Sequence, residues 1–300
     1  MGNGNTEERR GGLLILCAGV LWGLIGLFVK QLEAIGTDPV MTAFLRMAFA
    51  FLLFLPYCGF RLGWHDLRIG PGDLLFCAVQ GLVCYGLFNM LYSEAVTRLG
   101  VSVAAVLLYT APVFTLLISC VLFRESFSAR KGVAVLLNIL GCALTATGGR
   151  LDLTALSVKG ILAGVGAGFC YALTPIFGRF GTKRMDGRVL TLYSFFFAAL
   201  FLLLRLLLSG EGVPSVSGPL LLWGALFGLI PTVSAYFLYY RGLERMTETS
   251  RVPVLASVET VTAAAIGLGL YHDRLGPLGL LGIAIVLASI AVLNLRFGKK

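Results

Sequence analysis

The sequence predicts an all-α integral membrane protein with ten transmembrane helices, arranged as two inverted five-helix repeats. Composition is the first observation behind this prediction, since 58% of the 300 residues are hydrophobic and 13% are charged. A soluble domain has about 45–50% apolar and about 25% charged residues. The second is that apolar segments of membrane-crossing length recur along the whole chain, and the third is that the two halves can be aligned.

Ten apolar segments follow one another with short polar breaks, and each is close to the roughly 20 residues that cross a hydrocarbon core. They cover residues 12–30, 39–57, 73–93, 101–123, 131–148, 158–178, 188–208, 219–240, 250–270 and 276–295. Lipid offers the backbone no hydrogen bonds, so each segment is expected to be a helix.

The basic residues predict the orientation. Seventeen of the 24 Lys and Arg residues lie at one set of segment ends, six lie at the other set, and Arg46 lies inside a segment. Cytoplasmic loops are enriched in Lys and Arg, so both termini are predicted to be cytoplasmic, in the inner (cell) membrane. The same loops explain the net charge of +9, and no nucleic-acid partner is predicted.

Neither the cysteine spacing nor any enzyme motif in the sequence indicates a disulfide framework, a metal site or a catalytic site. The seven cysteines form no CxxC pair, so they predict neither a disulfide framework nor a zinc site and are expected to be small core residues. HExxH, GxSxG and P-loop motifs are missing from the sequence. We therefore predict no catalytic residue, no cofactor, no metal and no ATP-driven pumping by this chain alone.

An internal repeat divides the chain at 1–149 and 150–300. An offset of 149 aligns Gly11 with Gly160 and Trp22 with Tyr171, and an offset of 147 aligns Arg98 with Arg245. Five crossings per repeat invert the second half relative to the first. Inverted repeats are typical of alternating-access transporters, with the substrate site near the midplane.

The fifth and tenth segments align weakly between the halves. They are expected to buttress the bundle or to face a second protomer in a homodimer, and Asn138 in the fifth is expected to bond to another helix. The GxxxG spacings at Gly160–Gly168 and Gly224–Gly228 are interpreted as close helix packing.

Ionisable side chains inside apolar spans are costly and therefore point to function. Two lie well inside, Arg46 in the second segment and Glu259 in the ninth. They are predicted to bind substrate, and the alternatives are an internal ion pair or, for Arg46, a side chain that reaches the outer interface. Glu259 is also the proton-coupling candidate, because a carboxyl in a low-dielectric interior can exchange a proton near neutral pH.

Aromatic, amide and hydroxyl residues at similar depth complete the predicted substrate site, with core packing as the alternative for each. They are Trp22, Tyr85, Asn89, Tyr109, Tyr171, Thr232 and Tyr236, with Tyr193 and Ser234 at comparable depth. Pro112 and Pro231 are candidate hinges, since a proline within a span frees a backbone carbonyl, and a static kink is the alternative.

Several of these features together resemble the EamA family of the drug/metabolite transporter superfamily. They are Trp22-Gly23 in the first segment, Arg46 in the second, Tyr109–Pro112 in the fourth and Glu125 at its end. The resemblance covers nearly the whole chain and implies a central cavity and transport, often export, of small metabolites. The chain departs from the family at Thr260, which follows Glu259 where proline is common, and this could alter the kink of the ninth helix.

The sequence therefore predicts a secondary transporter or facilitator, with export of amino acids or related amines and carboxylates as the first substrate class. Arg46 would hold a carboxylate, Glu259 an ammonium group, and the aromatic residues the side chain. The alternative is a sugar-phosphate or nucleotide-sugar antiporter, although such a site would need several cations. A membrane-embedded enzyme and a non-transporting interaction subunit remain as more distant alternatives.

Overall fold

The computed structural model describes residues 2–149, 157–209, 217–272 and 276–294. Every regular element in these ranges is helical, which confirms the predicted all-α class. The first half contains α1 (Gly2–Gly23), α2 (Ile25–Ala34), α3 (Pro39–Leu62), α4 (Pro71–Gln80), the π-helical turn Gly81–Leu87, α5 (Phe88–Leu108), α6 (Ala111–Leu122) and α7 (Ala129–Thr147). The second half contains α8 (Val158–Gly181), α9 (Gly187–Ser209), α10 (Gly218–Gly228), the π-helical turn Leu229–Ser234, α11 (Ala235–Leu243), the 3₁₀ turn Thr249–Arg251, α12 (Val252–Ala256), α13 (Val258–Leu270) and α14 (Pro277–Asn294).

Polar side chains fix where several of these helices begin. Asp38 accepts a hydrogen bond from the Val40 N–H at 2.7 Å at the start of α3. Ser128, Ser157 and Ser217 cap α7, α8 and α10 in the same way. Each cap satisfies a backbone donor that the first helical turn leaves free, so the short polar breaks in the sequence set the helix boundaries.

Eight helical stretches among the described residues are long and apolar enough to cross a membrane, and a further apolar helix, Pro277–Leu293, is shorter. One stretch, Pro71–Leu122, has 52 residues, or about 78 Å of helix against a hydrocarbon core of about 30 Å. It is broken at Gly100, whose φ of 78° and ψ of 161° glycine adopts readily. The protein therefore spans the membrane several times, and the number of ten crossings stays a prediction.

The first helix begins at Gly2, well before the apolar segment that was expected to start near residue 12. Its polar first turns are held by charge: Glu7 pairs with Arg245 at 3.1 Å, and Glu8 pairs with Arg251 at 2.5 Å. The helix therefore extends beyond the apolar stretch because its acidic residues find partners in the second repeat.

The cysteines follow the expectation only in part. All seven are free thiols, and five of them are buried. Cys17 is exposed and Cys120 is partly exposed, so the prediction of core positions is wrong for these two. A thiol is apolar enough to be tolerated on an outer helix face.

Matched glycines pack the two repeats against each other. A Cβ atom on Gly11 of α1 would lie 2.9 Å from the Arg245 Cβ, and one on Gly160 of α8 would lie 3.0 Å from the Arg98 Cβ. Gly160 is the repeat equivalent of Gly11, and Arg245 is that of Arg98. Each contact therefore maps onto the other when the repeats are exchanged, as a two-fold relation between them requires.

The GxxxG spacings serve close packing, as predicted. A Cβ on Gly164 would lie 2.5 Å from Leu107 Cδ1, and one on Gly228 would lie 2.7 Å from the backbone nitrogen of Ala50. Only a hydrogen atom fits at these positions, so α8 approaches α5 and α10 approaches α3 closely.

Two π-helical turns occupy equivalent positions in the two repeats. The offset of 147 carries Gly81–Leu87 onto residues 228–234, and the second turn covers Leu229–Ser234. Such turns are rare and frequently occur at functional sites. Pro231 lies in the second turn, whereas Pro112 lies in the first turn of α6, where its missing N–H costs nothing.

Helices α7 and α14 pack mainly on each other. The Asn138 amide on α7 donates to Ser257 Oγ at 2.5 Å and approaches Ser289 Oγ at 3.4 Å, which confirms the predicted interhelical bond. Gly141 and Gly282 let the two backbones approach, since a Cβ on Gly141 would lie 2.9 Å from the Gly282 oxygen. These contacts agree with a buttress, and the homodimer stays a prediction.

The main core lies where α1, α3, α9 and α11 meet. Its fully buried side chains include Ile15, Phe54, Phe195 and Tyr240. The core is aromatic on the side of α11, and this aromatic wall leads to the candidate site.

Candidate functional site

Arg46 is buried at the centre of the bundle, on α3. Its Nε donates a hydrogen bond to Thr232 Oγ1 at 2.9 Å, and Thr232 in turn donates to the Phe227 carbonyl at 2.9 Å. The guanidinium carbon lies 5.2 Å from the centroid of the Phe227 ring, within cation–π range. The alternative of a side chain reaching the outer interface is therefore wrong, because the π-helical turn of the second repeat holds Arg46 inside.

Glu259 lies in the first turn of α13 and is partly accessible, although it faces the bundle interior. The Tyr171 hydroxyl is a polar neighbour of this carboxyl. The charge of Arg46 acts on Glu259, yet these two described side chains form no ion pair within 4.0 Å. The two opposite charges thus share one site without touching.

Aromatic rings enclose the two charges. Trp22 packs against Tyr236 and Tyr239, with ring centroids 5.1 Å apart in both pairs. Tyr85 meets the edge of Tyr236, also at 5.1 Å. Tyr171 lies beside Trp22 and Tyr239 around a small cavity, and it packs on Phe88 at 5.6 Å on its other side.

A chain of hydroxyl groups leads away from the aromatic wall. Tyr85 and Tyr240 share a hydroxyl–hydroxyl bond of 2.8 Å, and Gln80 Nε2 donates to the Tyr240 hydroxyl at 2.5 Å. All three residues are buried. Sequence reasoning missed Gln80, Tyr239 and Tyr240, although a fully buried glutamine in an apolar span is a detectable signal.

Two predicted site residues bond elsewhere. Tyr109 accepts a hydrogen bond from Thr260 Oγ1 at 2.8 Å, and Thr260 also lies 3.5 Å from the Cys142 thiol. Asn89 donates its amide to the Tyr85 carbonyl at 2.6 Å, so it stabilises the end of the first π-helical turn. Thr260 replaces the proline of the family pattern with a hydroxyl that ties α13 to the end of α5.

Tyr193 and Ser234 do not join the central group. The Tyr193 hydroxyl donates to the Leu67 carbonyl at 2.8 Å, near the start of α4. Ser234 donates to the Leu229 carbonyl of its own helix at 3.0 Å. Each hydroxyl is satisfied by a backbone carbonyl outside the central group, so depth in the span did not place these two residues in the site.

A small cavity, here called the Trp22 cavity, lies behind the aromatic wall. Its lining residues are Trp22, Tyr171, Thr174, Pro175, Tyr239, Pro253 and Ala256. Its volume of about 10 Å³ is room for roughly one water molecule. Trp22 Nε1 is buried and has no hydrogen-bond partner among the described residues, which costs about 1–3 kcal/mol if nothing binds it.

Salt bridges concentrate at one end of the bundle, here called the ion-pair end. It holds the pairs Glu7–Arg245, Glu8–Arg251, Asp73–Arg184, Glu125–Arg179 and Lys131–Glu248. Glu125 is the best satisfied of these groups. Its carboxylate accepts from Thr249 N at 2.6 Å, Ser250 N at 3.1 Å, Ser250 Oγ at 2.5 Å and Arg179 at 2.6 Å.

The hydrogen bonds on Glu125 decide its ionisation. Burial by itself raises the pKa of this carboxyl, but the bonds from Ser250 and from the Thr249 N–H outweigh burial, and its pKa lies below the ordinary value. Glu125 is therefore an anion that joins the end of α6 to the start of α12, across the two repeats. An offset of 148 aligns Glu125 with Asp273 of the second repeat, and Asp273 lies outside the described residues.

The helical bundle with its buried polar site defines a multi-pass membrane protein, and comparison with known proteins gives its class. The profile of the EamA-like transporter family matches residues 9–147 and 158–295. The chain belongs to the EamA-like transporter family, and it therefore has a transporter role with a small-molecule substrate in a lipid bilayer.

Relatives agree with this assignment. An uncharacterized transporter of Archaeoglobus fulgidus is 28% identical over 288 residues, covering 95% of this chain and 96% of that protein. The uncharacterized transporter YwfM of Bacillus subtilis is 25% identical over 287 residues, with 94% and 93% covered. A solved chain described only as "Crystal structure of protein" shares the fold with a TM-score of 0.79 at 18% identity, over 95% of this chain and 96% of that chain.

Proposed function

We propose that this protein is a secondary transporter or facilitator that exports amino acids or related amines and carboxylates by alternating access. The observation that carries the proposal is the pair of opposite charges, Arg46 and Glu259, which share the bundle centre without forming an ion pair. The proposed domains are the repeats 1–149 and 150–300, each with five crossings and inverted relative to the other.

The energetics of buried charge favour a zwitterionic substrate. A buried charge without a counter-ion costs several kcal/mol, and the hydrogen-bond partner of Arg46 is the neutral Thr232. A solute with a carboxylate and an ammonium group would supply the missing partner to both charges at once. The aromatic rings of Trp22, Tyr85 and Tyr236 would then contact its apolar part.

Alternating access is supported by the repeat, because inverted repeats that exchange conformations also exchange which end of the bundle is open. The equivalent Gly11–Arg245 and Gly160–Arg98 contacts, of α1 on α11 and of α8 on α5, are where the two states would differ. The ion-pair end also carries the basic residues that predict a cytoplasmic location. We therefore propose cytoplasmic termini in the inner membrane, with the ion-pair end closed in this structure.

Proton coupling through Glu259 is part of the proposal. The carboxyl is partly accessible and faces Tyr171, so it could bind an ammonium group or a proton but not both. Competition of this kind couples the two fluxes, because each ligand is released when the other binds.

The sugar-phosphate alternative is less well supported. A phosphate carries about two negative charges and is usually held by several cations. Among the described residues, Arg46 is the one basic residue at the central polar site, which is fewer cations than a phosphate usually has. The Phe227 ring and Thr232 already contact its guanidinium group.

Counterflow in proteoliposomes tests the proposed substrate class. Vesicles preloaded with an L-amino acid should exchange it for the labelled compound, whereas its N-acetyl derivative and its methyl ester should each exchange poorly. Equal exchange of the blocked and free compounds would contradict the zwitterion site. Empty vesicles and vesicles with the Arg46→Met variant serve as controls for leak.

A further inference from the structure

The Trp22 cavity contains polar groups that the proposed contacts of Arg46 and Glu259 do not use. Trp22 and Tyr171 line it from α1 and α8 and are repeat equivalents. The cavity therefore lies at the junction between the two repeats. Tyr171 also faces Glu259, so the cavity adjoins the proposed ammonium position.

Three polar groups at this cavity lack ordinary partners. Trp22 Nε1 is a buried donor without an acceptor among the described residues. Thr174 is 2% exposed, and its Oγ1 makes no hydrogen bond of normal geometry, although the Cys84 thiol is near. Pro175 lies inside α8 and has no N–H, so the Tyr171 carbonyl loses its usual donor four residues on.

These groups define the chemistry of a ligand. An indole N–H donates, a backbone carbonyl accepts, and a hydroxyl does both. The residues that line the cavity are uncharged, so a full charge would be poorly compensated there. The volume of about 10 Å³ admits roughly one oxygen-sized group.

We propose that the Trp22 cavity is a specificity subsite for a small neutral group that donates and accepts hydrogen bonds, such as the hydroxyl or carboxamide of a transported zwitterion. This inference rests on the proposed function and narrows its substrate class to small polar amino acids. A resident water molecule has the same chemistry and is the other source of an oxygen atom at this position.

A subsite of this kind discriminates strongly between near-isosteres. An analogue without the hydroxyl leaves buried polar groups unpaired, and such sites reject it far more strongly than apolar pockets reject an extra methylene. L-Serine against L-alanine and L-threonine against L-valine are suitable pairs. We expect the wild-type protein to prefer the hydroxyl compound at least about 10-fold in kcat/KM.

The test measures these ratios by counterflow in proteoliposomes for the wild type, Trp22→Phe, Thr174→Val and the matched control Trp223→Phe. Trp223 packs on Phe28 at 6.1 Å and is not among the cavity residues. The two cavity variants should lower the preference toward 1, while the control should keep it. Thr174→Val nearly preserves shape, so it tests the subsite even if Trp22→Phe folds poorly.

Thermal unfolding without added solute separates substrate from resident water. If the substrate fills the cavity, removing an unpaired polar group should leave Tm unchanged or raise it. A fall in Tm for both variants, with unchanged substrate ratios, would show that a bound water satisfies these groups and would overturn the proposal.

The same counterflow measurements distinguish failure of the Trp22 subsite from failure of the proposed transport of zwitterions. Exchange of both members of each pair at similar rates by the wild type would overturn the subsite and leave the zwitterion transporter standing. Exchange of neither member, nor of any other free amino acid, would overturn the proposed function and the subsite with it.

Discussion

Glu125 and Ser250 join the two repeats at the ion-pair end: the Glu125 carboxylate accepts from the Ser250 N–H at 3.1 Å and from its Oγ at 2.5 Å. Glu125 follows the end of α6 in the first repeat, and Ser250 lies in the 3₁₀ turn that leads into α12 in the second. The two helix ends cannot separate without breaking these bonds. If the protein works by alternating access, as proposed above, opening of this end requires the release of Glu125.

Replacing the Glu125 carboxylate should destabilise the protein. Hydrogen bonds to a charged group contribute about 1.5–3 kcal/mol, so Glu125→Gln should lower the unfolding free energy by about that amount and lower Tm in detergent. The control is Glu94→Gln, because Glu94 pairs with Arg98 at an exposed position and should change stability by about 0–1 kcal/mol. Equal Tm values for the two variants would mean that Glu125 does not hold this end closed.

Stability should depend on pH through the same carboxyl. The pKa of Glu125 is lowered in the folded protein, so its stabilisation is present above the unfolded pKa of about 4.3 and is lost as pH falls through the folded value. The Tm advantage of the wild type over Glu125→Gln should therefore be full at pH 6–7 and shrink below about pH 4. A Tm advantage of the wild type that increased on acidification would contradict a stabilising role of the ionised Glu125 carboxylate.

The repeat interface should not tolerate a methyl group at Gly11. Its Cβ would lie 2.8 Å from the backbone oxygen of Gly242, which cannot rotate away, so Gly11→Ala should cost about 1–3 kcal/mol. Gly26→Ala is the matched control, since nothing lies within 4 Å of a Cβ there, and helix propensity favours alanine by up to about 1 kcal/mol. The comparison requires Tm and folded yield, and a stable Gly11→Ala variant would contradict the close packing.

Cysteine labelling tests the predicted topology in a background without the seven native cysteines. Gly36 lies at a predicted outer break between segments, but its φ of +93° makes a cysteine there strained. The exposed Glu33 at the end of α2 is preferable. A cysteine at Glu33 should react with an impermeant reagent added outside intact cells, and one at the exposed Lys183 should not.

Much of the fold is predictable because lipid leaves the backbone few options. Apolar length predicts the spans, and the repeat pairs Gly11 with Gly160, whose contacts the structure then shows to be equivalent. The π-helical turns were not predicted, because one extra residue in a helical turn leaves no trace in an evenly apolar segment. The early start of α1 was missed because its polar residues are held by partners far along the chain.

The site was harder to predict than the fold. Arg46 and Glu259 stood out because charge is costly in lipid, but the bond from Arg46 to Thr232 depends on how α3 and the π-helical turn after α10 are rotated. Such rotation has no signature where nearly every residue of a helix is apolar. Asn89 also lies deep in a span, but its amide bonds to the nearby Tyr85 carbonyl. The position of a residue in the sequence does not show whether its side chain bonds to its own backbone or faces a substrate.

The central claim is that Arg46 and Glu259 bind opposite ends of one zwitterion, and a cycle of variants against blocked ligands tests it most directly. The measurement is binding of an L-amino acid, its methyl ester and its N-acetyl derivative to the wild type, Arg46→Met, Glu259→Gln and the double variant, with folding checked by Tm and folded yield. Arg46→Met should weaken binding of the free amino acid by at least about 10-fold and leave binding of the methyl ester unchanged. Glu259→Gln should leave binding of the N-acetyl derivative unchanged. If instead each single variant loses folded yield and the double variant recovers it, Arg46 and Glu259 form a structural pair and the account is contradicted.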